Sequence, residues 1–181
     1  EDAANSKLSI ETIVISIEAI KLREGTYEAY TNNGRDATGI NPFDWAVRAE
    51  ELGAGEIIVT SINQEGTGNG FDIDLVRRIA ESVSIPVIAC GGAGNLDHVY
   101  EVLKEGGVDA VSIASLFHYQ RIKDQCFSSG WSCEDGNTEF VRNRKEVMNM
   151  QGVTILELKD YLVKKNIRCR HELVETVHKY A

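Results

Sequence analysis

Four short apolar runs, each followed by a loop and an amphipathic stretch, restrict this chain to very few folds. The runs are TIVISIEAI (Thr12–Ile20), EIIVTSI (Glu56–Ile62), IPVIAC (Ile85–Cys90) and AVSIAS (Ala110–Ser115). The first three are almost continuous in Ile and Val, the pattern of parallel strands covered on both faces. The stretches between them have helical spacing. NPFDWAVRAEELG carries Asn41 as N-cap, Pro42 at the first helical position and Gly53 as its stop. DIDLVRRIAESV puts Leu75, Ile79 and Val83 on one face. NLDHVYEVLKEGG starts from Asn95, turns Leu96, Val99, Val102 and Leu103 inward, and stops at Gly106–Gly107. TILELKDYLVKKN gives a last helix with Ile155, Leu158 and Leu162 inward. The order βαβαβαβα predicts an α/β fold on a parallel sheet.

A weak internal repeat supports repeated βα units. LGAGEIIVTS (Leu52–Ser61) and GGVDAVSIAS (Gly106–Ser115) share a glycine stop, a short turn, a buried strand and a small residue before Ser. Four units cannot close an eight-stranded barrel, but they can make half of one. With 181 residues the chain reads as a single domain over 1–181. Two stretches interrupt the rhythm. Residues 21–39, with Tyr27 and Tyr30 among turn residues, read as a hairpin after the first strand. Residues 120–152 are polar with weak periodicity and read as an insertion, a solvated loop or a lid. Residues 171–181 read as a frayed tail. The first residue is Glu1 and not Met, which with the four-unit count suggests a fragment.

Composition removes several function classes. A net charge of -9 gives no basic stripe for nucleic acid. No apolar run reaches the roughly 20 residues of a membrane span, and no signal segment opens the chain. Cys90, Cys126, Cys133 and Cys169 form no CxxC pair, so they read as reduced thiols of a cytoplasmic protein, with a Cys126–Cys133 loop disulfide as the lesser alternative. No metal-ligand cluster and no Ser/His/Asp motif is visible, so neither a metal nor another cofactor is expected.

In parallel βα proteins, ligands bind at the C-terminal ends of the strands. Those ends carry Glu18; Thr60, Ser61, Asn63 and Glu65; Cys90, Gly91 and Gly92; and Ala114 and Ser115. Two neighbouring ends lack side-chain bulk, which suits a phosphate held on backbone N–H groups at Gly91, Gly92 and Ser115. Plain tight turns are the other explanation. Glu18 and Glu65 suit general acid/base work across a strand-end mouth, although each alone is equally an ordinary surface or ion-paired Glu. His98 reads as a solvated helix residue, and His118 as packed or at the rim.

The stretch LGAGEIIVTSINQEGTGNGFDIDLVRRIAESVSIPVIACGGAGNLDHV, with IVISIEA, GRDATGI and DAVSIASLFHY, resembles the cyclase subunit of imidazole glycerol phosphate synthase. GAGEI, EGTGNGFD and PVIACGGAG, in this order and spacing, are the specific motifs. The resemblance covers most of Thr12–Tyr119 and returns at LKDYLVKKNIRCR. It implies the C-terminal (βα)4 half of a (β/α)8 TIM barrel of the ribulose-phosphate-binding type. The family takes ammonia from a glutaminase subunit and converts a phosphorylated ribonucleotide to imidazole glycerol phosphate in histidine biosynthesis. By resemblance, Glu18 matches the acid/base Asp of strand five, and Glu65 an Asp of the next loop. Thr60, Gly66, Gly92, Ala114 and Ser115 match a substrate phosphate site to which Gly91 also belongs, and Glu56 matches a residue that helps gate ammonia entry.

The chain departs from the family at the catalytic positions, with Glu at 18, Asn63-Gln64-Glu65 for an Asp-Arg-Asp run, and Cys90 where Ser is usual. The resemblance further implies a missing N-terminal half-barrel, or self-association in its place. ACGGAG also resembles the paralogues that use the same ammonia supply to amidate sugars of surface polysaccharides. A non-catalytic phosphate-binding half-barrel is the third possibility.

Overall fold

A computed structural model describes residues 13–23, 25–118 and 151–170. Most of the 120–152 insertion and all of the 171–181 tail lie outside the described residues. The elements are β1 (Val14–Arg23), β2 (Thr26–Thr31), β3 (Asp36–Ala37), α1 (Pro42–Glu51), β4 (Glu56–Ser61), α2 (Ile73–Ser82), β5 (Val87–Cys90), α3 (Leu96–Glu105), β6 (Ala110–Ser112) and α4 (Ile155–Lys164). They build one sheet in the order β3-β2-β1-β4-β5-β6. β1, β4, β5 and β6 run parallel, and β2 and β3 fold back antiparallel beside β1.

The order β1-β4-β5-β6 never reverses. Right-handed crossovers that always advance in one direction put every helix on the same face of the sheet. Burial agrees with this. Ile17 and Ala19, Ile57 and Val59, and Val87 and Ala89 join Leu75, Val76, Ile79, Val99, Val102, Leu158 and Leu162 in one core. The alternate strand residues face the other way, and apart from the buried Thr60 they are less covered: Val14 and Ser16 are exposed, while Glu18, Ile58 and Ile88 are half-buried. Runs that read as covered on both faces are thus packed on one face among the described residues.

Register sorts this second face into rows. Val14 stands beside Glu56; then Ser16, Ile58, Ile88 and Ala110 align; then Glu18, Thr60, Cys90 and Ser112. The last row lies at the C-terminal ends of the parallel strands.

Several boundaries differ from the sequence expectation for local reasons. β1 continues to Arg23 because β2, on its other edge, goes on pairing with it past Ala19 where β4 ends, down to Thr26 opposite Arg23. β5 starts at Val87 and not Ile85, since Pro86 has no N–H for the ladder. β6 ends at Ser112, and residues 115–118 already form a helical turn. In α4, Leu158 and Leu162 are buried, but Ile155 is 58% exposed, so the last helix uses a narrower apolar stripe than expected.

The hairpin is held firmly against α2. Tyr27 is buried; its hydroxyl donates to Asp72 Oδ1 at 2.9 Å and to Asp74 Oδ2 at 3.2 Å. Its ring meets Phe43 edge-on at 5.7 Å, and the Arg78 guanidinium lies 3.8 Å from the Phe43 ring centre. Asp72 does double duty, because its carboxylate also caps α2 by accepting the Leu75 N–H at 3.1 Å. Asn41, Asn95 and Thr154 cap the other three helices, the last within a full capping box with Glu157.

Candidate site at the glycine-rich strand ends

Three connections converge at the C-terminal ends of β5 and β6. The β4–α2 loop brings Glu65 and Gly66, the β5–α3 loop brings Gly91 and Gly92, and the segment after β6 brings Ala114 and Ser115. They enclose a pocket of about 40 Å3, with Cys90 and Ser112 on its strand side. A water molecule needs about 10–15 Å3 of such space, so the pocket has room for a group of a few heavy atoms, such as a tetrahedral anion. The positive end of α3 lies just beyond the β5–α3 loop.

Five of the six residues expected at a phosphate site, Gly66, Gly91, Gly92, Ala114 and Ser115, line this pocket. Thr60 does not. It is buried one strand further along the row, between Glu18 and Cys90.

The glycine pair has a packing reason as well. Gly92 has φ +112°, and a Cβ on it would stand 2.1 Å from the Gly70 carbonyl oxygen. On Gly91, at φ +89°, a Cβ would stand 3.0 Å from the Ser61 carbonyl oxygen. Bare backbone at 91–92 therefore lets the β4–α2 loop lie directly on the β5–α3 loop. Gly66 is different: its φ is +72°, yet nothing lies within 4 Å of where its Cβ would be.

The two expected acid/base carboxylates occupy different surroundings. Glu18 is half-buried, and its Oε2 accepts the Gly34 N–H from the β2–β3 turn at 2.9 Å. Glu65 is exposed on the rim of the glycine pocket, which Glu18 does not line. Between them, Asn63 Oδ1 accepts the Lys21 N–H at 2.6 Å and ties the β4–α2 loop to the end of β1. Glu56 sits half-buried at the opposite end of β4, beside Val14. Four residues of strand, about 13 Å, separate it from the level of Thr60.

His98 is half-buried, and its ring Nδ1 accepts the Gly94 N–H at 3.3 Å, so the residue read as a solvated helix position also holds the loop before α3. The available signal was its place three residues after the cap Asn95, where side chains reach back to the preceding backbone. His118 is exposed. Across the 62–67 turn lies a larger, open cleft of about 630 Å3, bordered by Lys21, Arg23, Asn63 and Gln64. It holds none of the expected phosphate-site residues and neither Glu18 nor Glu65, and its one carboxylate, Asp72, is already engaged by Tyr27 and Leu75. Among the described residues no cluster of three or more His, Cys, Asp or Glu is arranged to hold a metal ion. None of the described helices is long and apolar enough to cross a membrane.

Comparison with known proteins adds an independent line. The family described as "Histidine biosynthesis protein" matches residues 2–123, more than half of the chain. The imidazole glycerol phosphate synthase subunit HisF of Pyrobaculum aerophilum is 52% identical to it over 110 residues. That alignment takes in 61% of this chain and 43% of the relative, so the chain spans less than half of the curated protein it matches.

Proposed function

The chain belongs to the histidine biosynthesis protein family, and from that premise we propose that it acts as the C-terminal half of an imidazole glycerol phosphate synthase cyclase. In this reading it is a (βα)4 half-barrel whose glycine pocket takes a phosphate of the ribonucleotide substrate. The observation that carries it is the convergence of Gly66, Gly91, Gly92, Ala114 and Ser115, from three separate connections, on one small strand-end pocket. Bare backbone there admits a tetrahedral anion, and the α3 N-terminus favours its charge.

The one-sided sheet supports the barrel half. With helices on one face only, the row of Ser16, Ile58, Ile88 and Ala110 is suited to a barrel interior once other strands close around it. The P. aerophilum relative extends well beyond the aligned part, which favours an N-terminal half as the closing element over a second copy of this chain.

Within the closed barrel, ammonia from a glutaminase subunit would enter at the Glu56 end and meet the substrate at the Glu18 row. A phosphate fixed in the pocket would hold the reacting atoms near Glu18 and Glu65, which act as proton donor and acceptor. Such anchoring turns a collision into an oriented step. The engagement of Glu18 by Gly34 favours one second reading, a phosphate-binding half-barrel without turnover.

The test is imidazole glycerol phosphate formation with excess ammonium, by this chain alone and joined to a complete N-terminal half. The cyclase reading expects product only from the joined barrel. Phosphate-ligand binding with no product from either would leave the second reading standing.

A further inference from the structure

We propose that His98 is a positioning residue of the glycine pocket, fixing the β5–α3 loop that carries Gly91 and Gly92 into it; the proposal rests on the phosphate-pocket reading above. His98 is the third residue of α3. Its backbone N–H donates to Asn95 Oδ1 at 2.9 Å, and its ring Nδ1 accepts the Gly94 N–H at 3.3 Å. This is the reciprocity of a capping box moved one residue into the loop.

The same ring faces the neighbouring loop across a gap: the position a Cβ on Gly70 would take lies 3.6 Å from His98 Cδ2 and 3.7 Å from its Cγ and Nε2, so a methyl would fit between the imidazole and Gly70. Gly70 in turn donates its N–H to the Gly92 carbonyl at 2.8 Å. His98 therefore restrains the β5–α3 loop through Gly94, and the Gly70–Gly92 hydrogen bond passes that restraint to the β4–α2 loop. Those loops carry Gly66, Gly91 and Gly92 into the pocket.

Glycine loops have the widest conformational freedom of any backbone. An anion site made of them binds well only when other groups hold its N–H donors in place. Asn95 caps α3, and His98 Nε2 lies 3.3 Å from Asn95 Nδ2, so the ring also braces the cap. What His98 adds for the pocket is an acceptor for Gly94. Its Nδ1 accepts only while unprotonated.

The experiment is sulfate binding to the full chain, by calorimetry, with the thermal midpoint recorded for each variant. His98→Phe keeps a ring in the same place and removes the acceptor. His98→Asn keeps an acceptor, since Oδ1 takes the place of Nδ1. The expected result is sulfate affinity weakened about tenfold in the Phe variant, or ~1.4 kcal/mol, and largely recovered in the Asn variant. If the Phe variant does not fold, His98→Leu takes its place. Equal affinity in wild type and Phe variant overturns the proposal, as does an Asn variant as weak as Phe at the same thermal midpoint. A wild-type chain that binds no sulfate overturns the phosphate-pocket reading instead, and the positioning role with it.

Discussion

Gly92 and Gly70 meet backbone to backbone: the Gly70 N–H donates to the Gly92 carbonyl at 2.8 Å, and a Cβ on Gly92 would stand 2.1 Å from the Gly70 carbonyl oxygen. No side-chain rearrangement relieves that overlap, because the obstacle is main chain. Gly92→Ala is therefore expected to destabilise the fold by more than the about 1–3 kcal/mol of a strained backbone alone. Urea unfolding of the variant checks it. A change below 1 kcal/mol would show that the two loops separate readily, and that packing does not explain the glycine.

Gly66→Ala separates the packing role of glycine from its ligand role. The position has a positive φ, so alanine costs about 1–2 kcal/mol in backbone strain. No neighbour is struck, however, and the new methyl sits on the rim of the pocket. The expected outcome is a modest fall in thermal midpoint together with clear loss of sulfate or sugar-phosphate affinity. Unchanged affinity in a folded Gly66→Ala chain would place the anion elsewhere.

Tyr27 gives the hairpin an alkaline limit. Burial first, then the hydrogen bond to Asp72, pushes its phenol well above the ordinary tyrosine value of 10.0. The folded chain then keeps a proton that the unfolded chain releases above about pH 10. By linkage, this contribution is intact below that pH and is lost as pH rises past it. Tyr27→Phe is expected to lower stability by about 1–3 kcal/mol at pH 7, since Asp72 loses a buried donor. It should also flatten the fall in thermal midpoint between pH 9 and pH 11. A variant with the wild-type slope would put the alkaline sensitivity on another group.

How much of this was legible in the sequence follows the range of the interactions. The caps Asn41 and Asn95 and the stripe of α2 are set within a few residues, and periodicity and cap chemistry expose them directly. The pocket residues were legible because glycine and serine at consecutive strand ends leave a physical trace in the chain itself. Gly92 against Gly70, Tyr27 on Asp72 and Glu18 on Gly34 are different: each joins positions 16 to 45 residues apart. No local pattern announces such partners, so Tyr27 read as a hairpin residue and Gly92 as ligand access. Ile155 shows the converse error. Helical spacing named it apolar-inward, but it is 58% exposed on the outer flank of α4.

The last prediction concerns Glu18, whose carboxylate is both the proposed acid/base and the acceptor for Gly34. Two substitutions separate these roles. Glu18→Gln keeps a carbonyl oxygen at the same reach, so the Gly34 contact and the thermal midpoint should persist while the titratable group is gone. Glu18→Asp keeps the charge but draws it back by about 1 Å or more, a misplacement that can itself cost roughly 10²-fold. In a barrel completed with an N-terminal half and supplied with ammonium, Glu18→Gln is expected to lower turnover at least about a hundredfold, the usual span of general acid–base assistance. If Glu18→Gln turns over like the parent while Glu18→Asp loses thermal stability, the carboxylate serves only to hold the β2–β3 turn. The acid/base role would then have to pass to Glu65, whose exposed position on the pocket rim leaves it free to approach an anchored substrate.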